Sequence, residues 1–102
     1  MITKFASGPN ERRLLFWCPG CNEPHSPRIE GAGAWTWNGD RDRPTLDPSI
    51  LVTDASGNRC HSLVRDGAIQ FLDDCSHGMK GRTVPLPTWP YDEGTFGGVE
   101  DG

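Results

Sequence analysis

Four cysteines are the residues of this sequence whose type and spacing most directly indicate chemistry. Cys18 and Cys21 belong to a Cys-Pro-Gly-Cys turn, and Cys60 and Cys75 flank a predicted hairpin. Thiolates arranged in this way bind zinc tetrahedrally, with each sulfur about 2.3 Å from the metal. We therefore predict one structural zinc ion, held by Cys18, Cys21, Cys60 and Cys75. Buried free thiols and a redox dithiol are the alternatives.

Three histidines extend this set of possible metal ligands. His61 directly follows Cys60 and His77 lies two residues after Cys75. Either imidazole can therefore replace a thiolate in a mixed site of two cysteines and two histidines. His25 is interpreted as a loop histidine, or as a residue that contacts a ligand without binding the metal. A catalytic zinc ion with an open water position, bound by two cysteines of the turn and one histidine, is a second hypothesis.

Serines beside these histidines indicate a possible nucleophile and base. A Ser-His pair needs the imidazole within hydrogen-bond reach of the hydroxyl. The alternation of side chains along a strand puts Ser49 and His61 on one face of a predicted hairpin, and Ser62 on the opposite, mostly apolar face. We predict Ser49 as nucleophile and His61 as base, with His77 as the alternative base or an orienting group. Asp74 is a candidate for orienting a histidine.

Short strands must position these side chains. Thirteen glycines and nine prolines among 102 residues interrupt every window of helical periodicity. Asp66-Gly67 is a strong signal for a two-residue hairpin turn. Strand-like segments precede and follow it, at residues 49–53, 59–64 and 68–72. The sequence therefore predicts a small β-rich domain, all-β or α+β, that is stabilised by zinc and contains an antiparallel meander and a Cys-x2-Cys knuckle.

Composition and charge limit the organisation and the partners. We expect a polar lead-in at residues 1–13, one zinc-stabilised domain at 14–89, and a disordered acidic tail at 90–102 that carries the whole net charge of −4. The basic residues form no cluster that would follow a phosphate backbone, so nucleic acid is not expected as a partner. No apolar run approaches the roughly 18 residues that span a membrane. The N-terminus lacks a signal-peptide pattern, which favours a cytoplasmic location where thiols stay reduced.

A series of short motifs runs through the sequence: Phe16-Trp-Cys-Pro-Gly-Cys21, Trp37-Asn-Gly-Asp40, Arg43-Pro-Thr-x-x-Pro-Ser49, Cys60-His-Ser-x-Val-Arg-Asp-Gly67 and Asp74-Cys-x-His77. This series resembles a family of small phage and bacterial proteins, formerly of unknown function and often mislabelled as ammonia monooxygenase. The resemblance covers about residues 14–89. Some members of the family occur in bacterial ubiquitination-like operons, where they are regarded as serine peptidases with a Ser-His dyad.

The resemblance implies a serine peptidase or isopeptidase whose protein substrate is a ubiquitin-like modifier or a similar peptide. It does not choose between Ser49 and Ser62, or between His61 and His77, because all four lie on motif positions. Asp47 stands where the family pattern leads us to expect serine. The alternative function is a non-catalytic, zinc-stabilised binding module of phage origin that engages a host protein. An exposed tryptophan would then be its anchor, with the candidates Trp35, Trp37 and Trp89.

Overall fold

Segments with alternating apolar and polar side chains form short strands throughout this chain. The computed structural model describes residues 2–8, 11–90 and 99–100, and within these ranges every regular element is a strand. No helix in these ranges is long and apolar enough to cross a membrane. The prediction of a β-rich domain is confirmed in its all-β form. The strands are β1 (Thr3–Gly8), β2 (Glu11–Cys18), β3 (Glu23–His25), β4 (Thr36–Trp37), β5 (Leu46–Thr53), β6 (Arg59–Arg65), β7 (Ala68–Phe71), β8 (Thr83–Pro85) and β9 (Val99–Glu100).

The first sheet has the order β3-β2-β1-β9 and contains segments that the sequence analysis placed outside the domain. β1 lies inside the predicted lead-in of residues 1–13. Its backbone pairs with β2, and its Phe5 side chain is only 4% exposed. The lead-in is therefore part of the domain, because burial of Phe5 ties it to the core. In the predicted tail, Val99–Glu100 pairs with β1, while residues 91–98 and 101–102 lie outside the described residues.

The second sheet has the order β4-β5-β6-β7-β8 and contains the predicted meander. β6 and β7 pair as a hairpin, with Val64 opposite Ile69. Asp66 and Gly67 form its turn with φ angles of 48° and 79°, the left-handed region that a type I′ turn requires at both positions. β5 carries a bulge between Leu46 and Ile50 relative to β6, and this stretch includes a cis peptide bond before Pro48.

One apolar core joins the two sheets. Leu14 and Phe16 of the first sheet cluster with Val64, Ile69 and Phe71 of the second, and none of these side chains is more than 1% exposed. Replacing a buried phenylalanine of this kind with alanine typically costs about 3–5 kcal/mol of unfolding free energy. The same cluster includes three of the cysteines, Cys18, Cys60 and Cys75. The core therefore holds the cysteines of both sheets close together.

The loop before β5 is ordered by side-chain hydrogen bonds to its own backbone. Asp40 Oδ1 accepts bonds from the amides of Asp42 and Arg43, at 2.9 and 3.0 Å, and these bonds hold the pKa of Asp40 below its usual value. Asn38 Oδ1 accepts a bond from the Thr45 amide at 3.1 Å. Such Asx contacts replace the backbone pairing that the loop lacks. The loop therefore enters β5 in a defined conformation, a few residues before Ser49.

Candidate active site and metal centre

Ser49 and His61 lie beside each other on the exposed face of the second sheet. His61 is the register partner of Leu51, so Ser49, two residues before Leu51, projects from the same face. Ser49 Oγ is 3.0 Å from His61 Nε2. The His61 side chain is 27% exposed, so both solvent and a substrate can reach the pair. An imidazole at this distance can accept the proton of an attacking hydroxyl.

Asp74 completes a linear arrangement behind the histidine. His61 Nδ1 lies 3.1 Å from Asp74 Oδ2 and 3.2 Å from Oδ1. A carboxylate at Nδ1 favours the tautomer that carries its hydrogen there, which leaves Nε2 free to accept the proton of Ser49. Arg59 Nη1 approaches the same carboxylate at 3.4 Å, at an exposed position. The order Ser49–His61–Asp74 reproduces the geometry of a serine hydrolase triad.

The segment after β7 continues alongside β6 past the last β6–β7 pair, and this course positions Asp74 beside His61. The Leu72 amide donates to the carbonyl oxygen of His61 at 2.9 Å. The Cys75 thiol lies 3.3 Å from the amide nitrogen and 3.2 Å from the carbonyl oxygen of the same histidine. The Ser76 amide donates to the Arg59 carbonyl at 2.9 Å, and the Arg59 amide donates to Ser76 Oγ at 2.8 Å. These hydrogen bonds keep residues 72–76 beside His61.

The other predicted catalytic candidates occupy different surroundings. Ser62 is completely buried on the core face, and its Oγ has no hydrogen-bond partner among the described residues. His77 lies at the far side of the cysteines: its Nε2 is 3.4 Å from Cys60 Sγ, and its Nδ1 accepts a bond from the Met79 amide at 3.3 Å. Neither residue forms a hydrogen bond within the Ser49–His61–Asp74 arrangement in the described part of the chain.

Three cysteines and one histidine form a cluster able to hold a metal ion. The ligand atoms of this group all lie within 4.8 Å of one another, and its members are Cys18, Cys21, His25 and Cys60. Cys18 Sγ and Cys60 Sγ, which come from different sheets, are 3.9 Å apart. Three sulfur ligands and one imidazole nitrogen are a donor set typical of structural zinc. We call this group the Cys3His cluster.

Cys75, which the sequence analysis placed with the other three cysteines, belongs to a second group. Cys60, Cys75 and His77 have ligand atoms within 4.8 Å of one another, so Cys60 is common to both groups. His25, interpreted from the sequence as a loop or ligand-contacting residue, lies in the Cys3His cluster because β3 folds back on β2 and pairs it with Phe16. The signal for His25 was present in the sequence as the spacing Cys-x2-Cys-x3-His.

Contacts between the thiols of the Cys3His cluster shift their pKa values in opposite directions. The hydrogen bond from Cys60 is the main cause that lowers the pKa of Cys18 to about 4. The same contact, together with burial, raises the pKa of Cys60, and burial raises the pKa of Cys21 to about 12. One thiolate is therefore stabilised at neutral pH by its neighbours. A bound cation would displace the remaining thiol protons, because thiolates are the forms that bind metal.

Gly20 packs directly against the His77 ring, which leads to a testable prediction. A Cβ at position 20 would lie 2.6 Å from His77 Nε2 and 2.9 Å from Nδ1, with Cε1 also in contact. We expect Gly20→Ala to lower the unfolding free energy by about 1–3 kcal/mol, because the ring or the knuckle must shift. Chemical denaturation measures the change. Gly78→Ala is the matched control, since a Cβ there meets nothing within 4 Å. Equal midpoints for the two variants would contradict the prediction.

A cavity of about 260 Å³ adjoins the cysteines and not Ser49. Its lining includes Gly20, Cys21, Arg59, Cys60 and His77. Neither Ser49 nor His61 contributes to this lining. This cavity is therefore separate from the Ser49–His61 pair.

The tryptophans that were candidates for the anchor of a binding module are buried or partly buried. Trp89 is buried at 5% exposure, and its ring packs edge-on against Trp17. Trp35 and Trp37 are partly buried against the core. In the part of the chain that the structure describes, no tryptophan is fully exposed.

Comparison with known protein families gives one match. The model of the family BubE, described as bacterial ubiquitination-like system serine protease, matches residues 2–72. The match extends from β1 through β7 and contains Ser49, His61 and the Cys3His cluster, whereas Asp74 and His77 follow it. Comparisons with curated proteins and with solved structures give no match.

Proposed function

Since this chain belongs to the BubE family of bacterial ubiquitination-like system serine proteases, we propose that it is a serine peptidase or isopeptidase with Ser49 as nucleophile and His61 as base. The observation that carries the proposal is the 3.0 Å separation of Ser49 Oγ and His61 Nε2. The position of Asp74 at the other ring nitrogen supports it further.

The proposed reaction proceeds by acyl transfer to the serine. Ser49 Oγ bonds to the substrate carbonyl carbon while His61 Nε2 takes the hydroxyl proton, and the carbonyl π electrons move to the oxygen. The carbonyl re-forms as the C–N bond breaks, and the imidazolium gives its proton to the leaving amine. Water then attacks the ester carbonyl carbon while His61 Nε2 takes its proton. The C–O bond to Ser49 Oγ breaks as the imidazolium returns that proton to Oγ, which releases the acid and the free serine. Asp74 stabilises the imidazolium in both halves.

The protein substrate follows from the family, and we propose that its acyl part is the carboxyl end of a ubiquitin-like modifier. Such a modifier is joined to the rest of the substrate through a peptide or isopeptide carbonyl, and this is the group that the reaction above attacks. An activated-serine probe tests the catalytic part of the proposal. A small fluorophosphonate is expected to label wild-type protein once, and peptide mapping by mass spectrometry is expected to find the label on Ser49. Label on Ser62, or no label, would contradict the assignment.

Asp74 gives a prediction specific to the triad. We expect Asp74→Asn to lower kcat for p-nitrophenyl acetate about 10²–10⁴-fold, because the amide no longer stabilises the imidazolium or selects its tautomer. Stopped assays at saturating substrate measure this loss. Asp73→Asn is the matched control, since it makes the same chemical change at the neighbouring exposed residue. An equal loss in both variants, or none in Asp74→Asn, would contradict the role of Asp74.

We further propose that the Cys3His cluster holds one structural zinc ion. The donor set fits, because three thiolates and one imidazole complete a four-coordinate shell and leave no position for a catalytic water. Cys75 is left out of this set because its ligand atom groups with those of Cys60 and His77, and not with the full set of Cys18, Cys21, His25 and Cys60. The metal would supply folding free energy and hold the two sheets together, while the chemistry stays with Ser49 and His61.

A further inference from the structure

Among the described residues, the outer edge of β5 is open next to Ser49. β4 pairs with β5 only through Thr36–Asp47 and Trp37–Leu46. Beyond these pairs, Trp35 Nε1 donates to the carbonyl oxygens of Pro48 and Ser49, at 3.0 and 3.3 Å. No described strand pairs with β5 on this side from residue 50 to 53. In the described part of the chain, β4 and the Trp35 indole therefore cover this edge of β5 only as far as Ser49, the proposed nucleophile.

The backbone N–H and C=O groups of every second residue of β5 point to this open edge. The Ser49 carbonyl points outward, since the Trp35 indole reaches it. The Asp54 amide points inward, since it donates to Asn58 across the turn to β6. In an antiparallel pair the inward and outward groups alternate from residue to residue. The N–H and C=O groups of Leu51 and Thr53 therefore face the open edge.

The side chains along this edge do not protect it. Natural edge strands are usually blunted by charges, prolines or a covering segment. Residues 50–53 read Ile-Leu-Val-Thr, with no charge and no proline. Leu51 is 51% exposed, and it is the exposed large hydrophobic side chain of the described residues. It lies on the same face as Ser49 and His61, so the apolar surface and the proposed reacting groups are continuous.

We propose that an extended segment of the protein substrate pairs with this edge as an additional strand, which sets its carbonyl at Ser49 and an apolar side chain against Leu51. The proposal deepens the proposed function and rests on it for the position of the reacting carbonyl. Backbone pairing supplies affinity, and the side-chain contact supplies specificity. Leu51 lies two residues from Ser49, about 7 Å along the strand. The side chain selected is therefore the one about two residues from the cleaved bond.

Two probes separate recognition from reactivity. The first is a small fluorophosphonate, and the second is the peptidyl phosphonate Ac-Leu-Ala-Leu-Ala-P(OPh)2, which can pair with the edge. We expect Leu51→Lys to lower the ratio of peptidyl to small-probe labelling rates about tenfold, because it loses an apolar contact. Gln70→Lys is the matched control, since Gln70 is exposed on the same face but lies on β7. An unchanged ratio in Leu51→Lys, or equal losses in both variants, would overturn the proposal.

Hydrogen exchange tests the pairing without catalysis. We expect the peptide Ac-Leu-Ala-Leu-Ala-NH2 to slow exchange of the Leu51 and Thr53 amides of Ser49→Ala at least about tenfold, and to leave Ile50 and Val52 unchanged. No slowing at millimolar peptide would overturn the docking proposal. Slow exchange of Leu51 and Thr53 before peptide is added would also overturn it, since the edge would then be covered by this chain or by a second copy. Absence of small-probe labelling at Ser49 would instead contradict the proposed function. The hydrogen-exchange measurement would still decide whether a peptide pairs with the edge.

Discussion

Ser49→Ala and His61→Ala are each expected to abolish cleavage of a linear fusion between a ubiquitin-like modifier and a reporter protein. The expected loss in kcat is about 10⁴–10⁶-fold, because one variant lacks the attacking oxygen and the other lacks the base that activates it. The double variant is expected to lose no more than either single variant, since the two side chains act as one unit. Electrophoresis and mass spectrometry of the products measure the cleavage.

Ser62→Ala is the matched control for the nucleophile. Ser62 is buried on the core face of β6, and its Oγ has no partner among the described residues, so we expect its removal to leave cleavage intact. Zinc content and the melting temperature should remain unchanged in Ser49→Ala, because its half-buried side chain lies on the opposite, exposed face. Full cleavage by Ser49→Ala together with loss in Ser62→Ala would place the nucleophile on the buried face and contradict the proposal.

Loss of Cys60, a proposed zinc ligand, is the second large expected effect. Cys60 belongs to both groups of possible ligands and to the apolar core. We expect Cys60→Ser to lose its zinc and to show no cooperative unfolding transition at 25 °C. The physical reason is that structural zinc contributes about 10–16 kcal/mol in small domains, comparable with the 5–15 kcal/mol total stability of a folded protein. Circular dichroism and elemental analysis measure both effects, and chelation of the wild type should reproduce them.

Two further variants decide which residues bind the metal. His25→Ala is expected to lose zinc, whereas Cys75→Ser is expected to keep one zinc ion per chain in native mass spectrometry. The reason is that the His25 ligand atom lies within 4.8 Å of three thiols in the Cys3His cluster, whereas Cys75 groups with Cys60 and His77 and is not a member of that cluster. The reverse result would support the set of four cysteines that the sequence analysis predicted. A stably folded wild-type monomer without metal would contradict a structural metal altogether.

Local sequence rules were sufficient for the meander of β5, β6 and β7 and for the Ser49–His61 face. The Asp66-Gly67 turn determines the β6–β7 register, because the two left-handed residues form a two-residue loop that places Arg65 directly opposite Ala68. Alternation along the strands then puts Ser49 and His61 on one face and Ser62 on the other. The Cys-x2-Cys turn likewise indicated two possible metal ligands, which the fold then brings together with His25 and Cys60. Each of these inferences spans only a few residues, over which backbone geometry dominates.

Only the tertiary structure decided which distant groups meet. Asp74 reaches His61 because the segment after β7 forms hydrogen bonds back to β6. Asp74 lies beyond the end of β7, so the alternation of side chains along the strand does not predict where its carboxylate points. The first sheet draws Phe5 into the core, so residues that looked like a polar lead-in form a strand. His25 meets Cys60 because β3 returns along β2 and the two sheets share one apolar core. The burial of Phe5 and the approach of His25 to Cys60 depend on packing between segments far apart in sequence, and the spacing of residues within one segment does not specify that packing.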